Sequence, residues 1–257
     1  MRRFVRRVAV VLPLAIVLGA WIGAGPAGAA SRISVSKPHR DSLRDPSFLV
    51  PCVLRGAMSD DCIADTVKAI ERARAHEHLR HTKLILPGNF ASLTASEQTF
   101  VVINLERVDR GLRPSSGLVE PLNQVATASA AASADPNPLT SLLVLLGVRR
   151  YQTVWAQDYG ALASDYEWMY QDGWSGVNTT NVGCGHRGSP GCWGHRRSLL
   201  QPFTGLPLLL AGAGSNAGEG GADSLSAVLT GGYGRAPHYT YTWRQALAHG
   251  ADGHRAQ

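Results

Sequence analysis

Apolar residues recur three and four positions apart in several segments of the chain, and this spacing predicts amphipathic helices. One helix is predicted over 61–79, capped by Asp60 or Asp61. Thr94–Glu97 is a capping box, in which the threonine hydroxyl and the glutamate carboxylate satisfy each other's backbone amides. It predicts a helix over 95–110.

Two more helices follow by the same reasoning. The first is predicted over 118–133, although its alanine- and serine-rich part, 126–134, fits a tightly packed helix and a flexible stretch equally well. The second ends near Gly173 and carries its apolar residues at i, i+4 and i+7: Leu162, Tyr166 and Met169. A short helix is expected over 195–200.

Strand-like patterns come late in the chain. We expect a buried strand at 208–210, moderate alternation over 225–229 and an aromatic, β-branched strand over 238–243. The apolar stretch 139–148 is too short to cross a membrane and is expected to be buried. The glycine-rich 212–221 is expected to be a flexible surface loop. Helices first and strands late indicate an α+β class or an α-β-α layering.

The N-terminus has the features of a secretory signal, with arginines followed by the apolar run 8–22 and small residues before a cleavage site after Ala29. An uncleaved membrane anchor is the alternative. Cleavage lowers Lys+Arg from 25 to 21 against 19 Asp+Glu, so the net charge falls from +6 to +2. The remaining charge argues against nucleic acid as a partner. The arginine, alanine and glycine content favours a GC-rich, actinobacterium-like source.

The four cysteines fall into two local pairs, Cys52 with Cys62 and Cys184 with Cys192. An exported chain favours disulfides, and although three connectivities are possible, we expect local pairing. The alternative for the second pair is a tetrahedral zinc site completed by two histidines, His186 and His195.

Several segments, in this order along the chain, resemble the CAP family of cysteine-rich secretory proteins, antigen 5 and pathogenesis-related proteins, with bacterial members called SCP-like. These are Asn104–Arg107 (NLER), Gly111–Pro114 (GLRP), Trp168–Tyr170 (WMY), Gly194–Leu200 (GHRRSLL) and Tyr241–Gln245 (YTWRQ). The resemblance implies a three-layer α-β-α sandwich. It places a CAP-like domain at 92–248, after an N-terminal extension at 30–91 and before a polar tail at 249–257.

CAP domains often carry two histidines and two acidic residues around a shallow cavity that binds a divalent metal in some members. His195 matches the second histidine, whereas the expected first histidine is missing from 118–133 and no glutamate lies near 155–158. The second acid is expected near Gln171, and Asp172 is adjacent.

The candidate site residues follow from these motifs. His195 is a candidate metal ligand or proton carrier, with Asp172 and Glu167 as the nearest acids. Four further residues contact either a ligand or the protein's own core: Trp168, Trp193, Asn104 and Arg107.

The resemblance implies a secreted binding or interaction module. Its ligand would be a lipid, a cell-wall component, a protein or a divalent metal, either zinc or calcium, and no other cofactor is implied. A membrane is expected to matter only transiently, through the signal segment. The alternative function is a secreted hydrolase, either metal-assisted or using His195 as general acid or base.

Overall fold

The computed structural model describes residues 46–174, 176, 181–235 and 237–252, so the predicted signal segment and most of the tail lie outside it. All described residues belong to one compact unit, Ile33–Gln257. In chain order the elements are α1 (Leu49–Arg55), α2 (Asp60–His76), α3 (Ala95–Val108), β1 (Gly117–Val119), α4 (Glu120–Ala131), α5 (Thr140–Leu145), β2 (Val148–Asp158), α6 (Gly160–Tyr170), α7 (Gly194–Leu199), β3 (Leu208–Ala217), β4 (Asp223–Gly232), β5 (Tyr239–Thr242) and α8 (Trp243–Ala248).

The strands form one mixed sheet in the order β2-β4-β3-β1-β5. The pair β1–β3 is parallel, and the other neighbouring strands are antiparallel. Side chains of β3 alternate between two core clusters: Leu209 and Ala211 pack with α3 and α6, whereas Leu210 packs with α4. The architecture is therefore mixed α and β with helices packed against a sheet, which agrees with the α+β class.

The N-terminal extension joins the same core as the later elements. Its first described residues, Pro46–Phe48, form a short 3-10 turn that leads directly into α1. A disulfide between Cys52 and Cys62 joins α1 to α2, with a Cα–Cα distance of 4.7 Å. Ser59, rather than an aspartate, caps α2, because its hydroxyl accepts from the backbone amide of Cys62.

The capping box of α3 forms as predicted, with Thr94 and Glu97 bonded reciprocally. The helix predicted over 118–133 is shorter: its first residues pair in β1, and α4 begins at Glu120 with a proline in its first turn. The alanine-rich part of α4 is a packed helix rather than a flexible stretch, because Ala126 and Ala130 are fully buried.

The glycine-rich segment predicted as a surface loop instead continues β3 to Ala217, with residues 212–214 buried, and only its end, 218–221, is an exposed or partly exposed turn. A Cβ atom at Gly212 would lie 2.3 Å from the backbone of Leu122, and one at Gly214 would lie 2.2 Å from the amide of Thr127. These glycines let α4 lie directly on the sheet, so their pattern reflects close packing rather than flexibility. The apolar stretch 139–148 is also not simply buried, because α5 exposes several of its apolar side chains.

Both disulfides have the predicted local connectivity. Disulfides of this kind are typical of proteins in an oxidising, extracellular environment. Within the described ranges, no helix combines the length and apolar character needed to cross a membrane.

Candidate functional site

His195 and Asp172 form a hydrogen-bonded pair at the start of α7. Nδ1 of His195 lies 2.8 Å from Oδ1 of Asp172. Because a carboxylate only accepts, Nδ1 carries the proton, and Nε2 is left on the side of Asp135, 3.8 Å from its Oδ1. The His195 side chain is 25% exposed and that of Asp172 only 1%. A buried carboxylate thus orients a partly accessible imidazole.

Asp172 is itself held firmly by its surroundings. Its Oδ1 also accepts from Nδ2 of Asn181 at 2.6 Å, and its Oδ2 accepts from the backbone amide of Arg196 at 3.2 Å. Its backbone carbonyl accepts from the amide of Trp193 at 2.8 Å. Every acceptor on this buried residue is therefore used, which fixes the side chain that orients His195.

The loop that delivers His195 is closed by a disulfide between Cys184 and Cys192, with a Cα–Cα distance of 4.4 Å. The zinc-site alternative for this pair is wrong, because sulfurs bonded to each other are not thiolate ligands. Trp193, the residue before α7, is buried in the left-handed region at φ 62°. A bulky residue rarely adopts this conformation, so the surrounding structure must enforce it.

Two further acids, Asp135 and Glu167, interact with the charge of His195. Burial, together with the charges of Asp158 and Asp172, raises the pKa of Glu167 on α6 to about 8. Burial also raises the pKa of Asp158, at the end of β2, to about 6. Burial raises the pKa of Asp135 as well, although the charge of His195 partly offsets it. The site therefore includes a carboxyl, that of Glu167, that stays protonated at neutral pH.

The pKa of His195 is raised, although burial alone would lower it. Burial lowers it, but the hydrogen bond and charge of Asp172 outweigh burial, and Asp135 and Glu167 add to this effect. The net result is a raised pKa, so the imidazolium form is favoured.

The other predicted contact residues lie in the core. Trp168 is buried and donates from Nε1 to the carbonyl of Trp155 at 3.0 Å. Trp193 packs with the Cys184–Cys192 disulfide. The side chain of Asn104 exchanges hydrogen bonds with the backbone of Ser115 at 3.1 and 2.8 Å.

Arg107 is also buried, and it donates to the carbonyls of Leu199 at 2.5 Å and Gln201 at 3.0 Å. It therefore holds the end of α7 against α3. Its contacts support the packing alternative over ligand contact.

Arg196, next to His195, belongs to a different polar group. Its guanidinium forms a double ion pair with Glu77, at 2.7 and 2.9 Å. Glu77 also binds Arg110 at 2.9 Å, and Arg110 binds Glu106. We call this group, completed by Arg74 and Asp109, the buried charge cluster.

The residues present do not fit a divalent metal. Among the described residues, no three His, Cys, Asp or Glu side chains converge as a metal-binding group. His195, the predicted metal ligand, bonds Asp172 through Nδ1 and so has a single nitrogen, Nε2, to offer a metal.

A separate open groove of about 710 Å³ lies along α4, between the start of α3 and β5. None of the residues around His195 lines it. The groove and the His195 site are therefore distinct features of the surface.

Sequence reasoning missed Asp135 and Asn181, which the fold brings to the His195–Asp172 pair. It also missed Asp158, which interacts with Glu167 and lies in the segment where a glutamate was sought. No family model, curated protein or solved structure matches the chain, so its function must be argued from the site itself.

Proposed function

We propose that the protein is an extracellular binding protein of the CAP type whose ligand site is centred on His195. The hydrogen bond from His195 to the buried Asp172 carries this proposal, because it fixes one imidazole nitrogen and leaves the other available. The CAP-type sandwich is supported by the order of α3, α4, α6 and α7 along the chain and by the position of His195 in the first turn of α7.

The chemistry of the site favours one of the ligand classes that the family resemblance allows. Among the described residues a metal finds too few donors, and the groups that face His195, Asp172 and Asp135, are polar. The carboxyl of Asp135, beside Nε2 of His195, can accept hydrogen bonds, whereas protonated Glu167 and the imidazole of His195 can donate them. This mixture suits the hydroxyl and amino groups of a cell-wall glycan or peptide.

The test is a pull-down of the purified protein on insoluble bacterial cell wall. The proposal expects His195→Ala to bind about tenfold less than wild type, since a charge-assisted contact is lost. His186→Ala is the matched control, because His186 is an exposed histidine of the same disulfide loop. Equal retention of all three proteins would refute a binding site at His195.

A second candidate function is hydrolysis, and the pKa of Glu167 favours it. A carboxyl protonated up to about pH 8 beside Asp158, which ionises near pH 6, provides separate acid and base groups. Release of soluble fragments from the same cell-wall material, lost in Glu167→Gln, would support hydrolysis. Binding without release of soluble fragments would support the binding function and contradict hydrolysis of this material.

A further inference from the structure

An exposed apolar surface surrounds the turn between α5 and β2, away from the residues that hold His195. Three apolar side chains there are largely accessible: Leu139 is 73%, Val144 73% and Leu145 80% exposed. Isolated exposed leucines are common on protein surfaces, but a continuous run such as Leu142–Leu145 with two exposed members is not.

Basic and aromatic residues border this surface. Arg149 and Arg150 are exposed at the start of β2, within a few residues of Leu145. Tyr233 is 63% exposed. It lies beside the turn, because its amide donates to the carbonyl of Gly147 at 3.1 Å. We call these six residues the interfacial patch: Leu139, Val144, Leu145, Arg149, Arg150 and Tyr233.

The charge around the patch is one-sided. No acidic residue occurs between Asp135 and Asp158, a stretch that contains both arginines. We propose that the interfacial patch docks the protein onto an anionic phospholipid surface, with the apolar side chains entering the interface and the arginines binding headgroup phosphates. Each part has the chemistry of an interfacial membrane contact: leucines for the acyl boundary, tyrosine for the headgroup level and arginines for anionic lipid.

A second copy of the chain fits the patch less well. A symmetric dimer on this surface would bring two copies of Arg149 and Arg150 into one interface, and the patch contains no acidic residue to pair with them. The membrane proposal goes beyond the sequence-based expectation that a membrane matters only for the signal segment. It does not depend on the function proposed for His195.

The test is co-sedimentation of the purified protein with vesicles of phosphatidylcholine alone or of an equal mixture with phosphatidylglycerol. We expect binding to the mixed vesicles only, weakened by salt. Val144→Ser with Leu145→Ser should weaken binding about tenfold or more, and so should Arg149→Gln with Arg150→Gln. All variants share one N-terminus, so any contribution of the first 45 residues cancels.

The matched control is Val50→Ser with Leu54→Ser on α1. These side chains are 64% and 76% exposed, but their neighbour Arg55 is paired with Asp61. The control and His195→Ala should bind vesicles as wild type does, and unchanged melting temperatures would show that the variants fold. Failure of wild type to bind, or equal loss in the control, would overturn the proposal. Self-association in sedimentation velocity that the Val144/Leu145 variant abolishes would also overturn it.

Discussion

His195 and Arg196 are adjacent in α7 but belong to two polar groups that differ in exposure and in charge. Arg196 enters the buried charge cluster, where three arginines pair with three carboxylates beside the buried Asp165, whose pKa is raised by burial and by Glu106. His195 enters a partly exposed site whose acids, Asp172, Asp135 and Glu167, outnumber its imidazole. The first group is almost fully buried, whereas the second keeps one imidazole partly accessible.

The pKa values show the same contrast. In the buried charge cluster, burial would raise the pKa of Glu106, but Arg74 and Arg110 outweigh burial and lower it to about 2. Around His195, burial prevails at Glu167 and Asp158, whose pKa values are raised. Carboxyl groups whose pKa is strongly raised occur often in functional sites, whereas carboxylates held ionised by ion pairs are more typical of structural clusters.

The largest expected effect comes from breaking the balance of the buried charge cluster. Glu106→Gln leaves Arg74 and Arg110 without their shared carboxylate and should lower the free energy of unfolding by about 3–5 kcal/mol. Urea denaturation measures this. Asp65→Asn, which breaks the exposed pair with Lys68, should cost under about 1 kcal/mol. Equal losses of unfolding free energy in the two variants would contradict a central structural role for the buried charge cluster.

The two disulfides sharpen the comparison, because Cys184–Cys192 closes the loop that delivers His195, whereas Cys52–Cys62 joins α1 to the start of α2. Replacing either pair by alanines should cost about 2–3 kcal/mol, since the closed loops have similar lengths. Loss of Cys184–Cys192 should also lower the pKa of His195 in an NMR titration, whereas loss of Cys52–Cys62 should not. A pKa of His195 that responds to both would contradict a separate local role for the second disulfide.

Glu167 should make stability depend on pH. Its pKa is about 8 in the folded protein against 4.5 for an unburied glutamate, so between these values the unfolded chain loses its proton first. Stability therefore falls as pH rises through this window, and Glu167→Gln should remove the loss. We expect the variant to gain about 1–3 kcal/mol relative to wild type between about pH 5 and about pH 9, measured by urea denaturation. No relative gain would contradict a buried, neutral Glu167.

The smallest expected effect is that of metal. Because no three donor side chains converge among the described residues, zinc or calcium should shift the melting temperature of wild type by less than about 2 °C. A larger shift that disappears in His195→Ala would show that the site binds metal after all.

Local sequence patterns predicted many of the elements of this fold and part of the site, namely His195, Asp172 and Glu167. The capping box fixed the start of α3 because its signal lies in two side chains, Thr94 and Glu97. The extent of β3 was missed because Gly212 and Gly214 are required by the close approach of α4. This is a tertiary contact that the local sequence does not reveal. Asp172 was named because it follows the tryptophan motif.

The remaining members of the site could not be found in this way. Asp135 lies 60 residues before His195 along the chain, and Asn181 lies in a loop without a motif. Their roles arise only when the end of α4 and the disulfide loop meet at α7. The same holds for Glu77, whose ion pair with Arg196 joins the N-terminal extension to α7.

The most direct test of the account is an NMR pH titration of the His195 ring in wild type and in Asp172→Asn. If the buried carboxylate orients and charges this imidazole, wild type should titrate above the ordinary histidine range and the variant clearly lower, with the fold unchanged. His195 titrating identically in both proteins would contradict the hydrogen-bonded pair on which the proposed site depends.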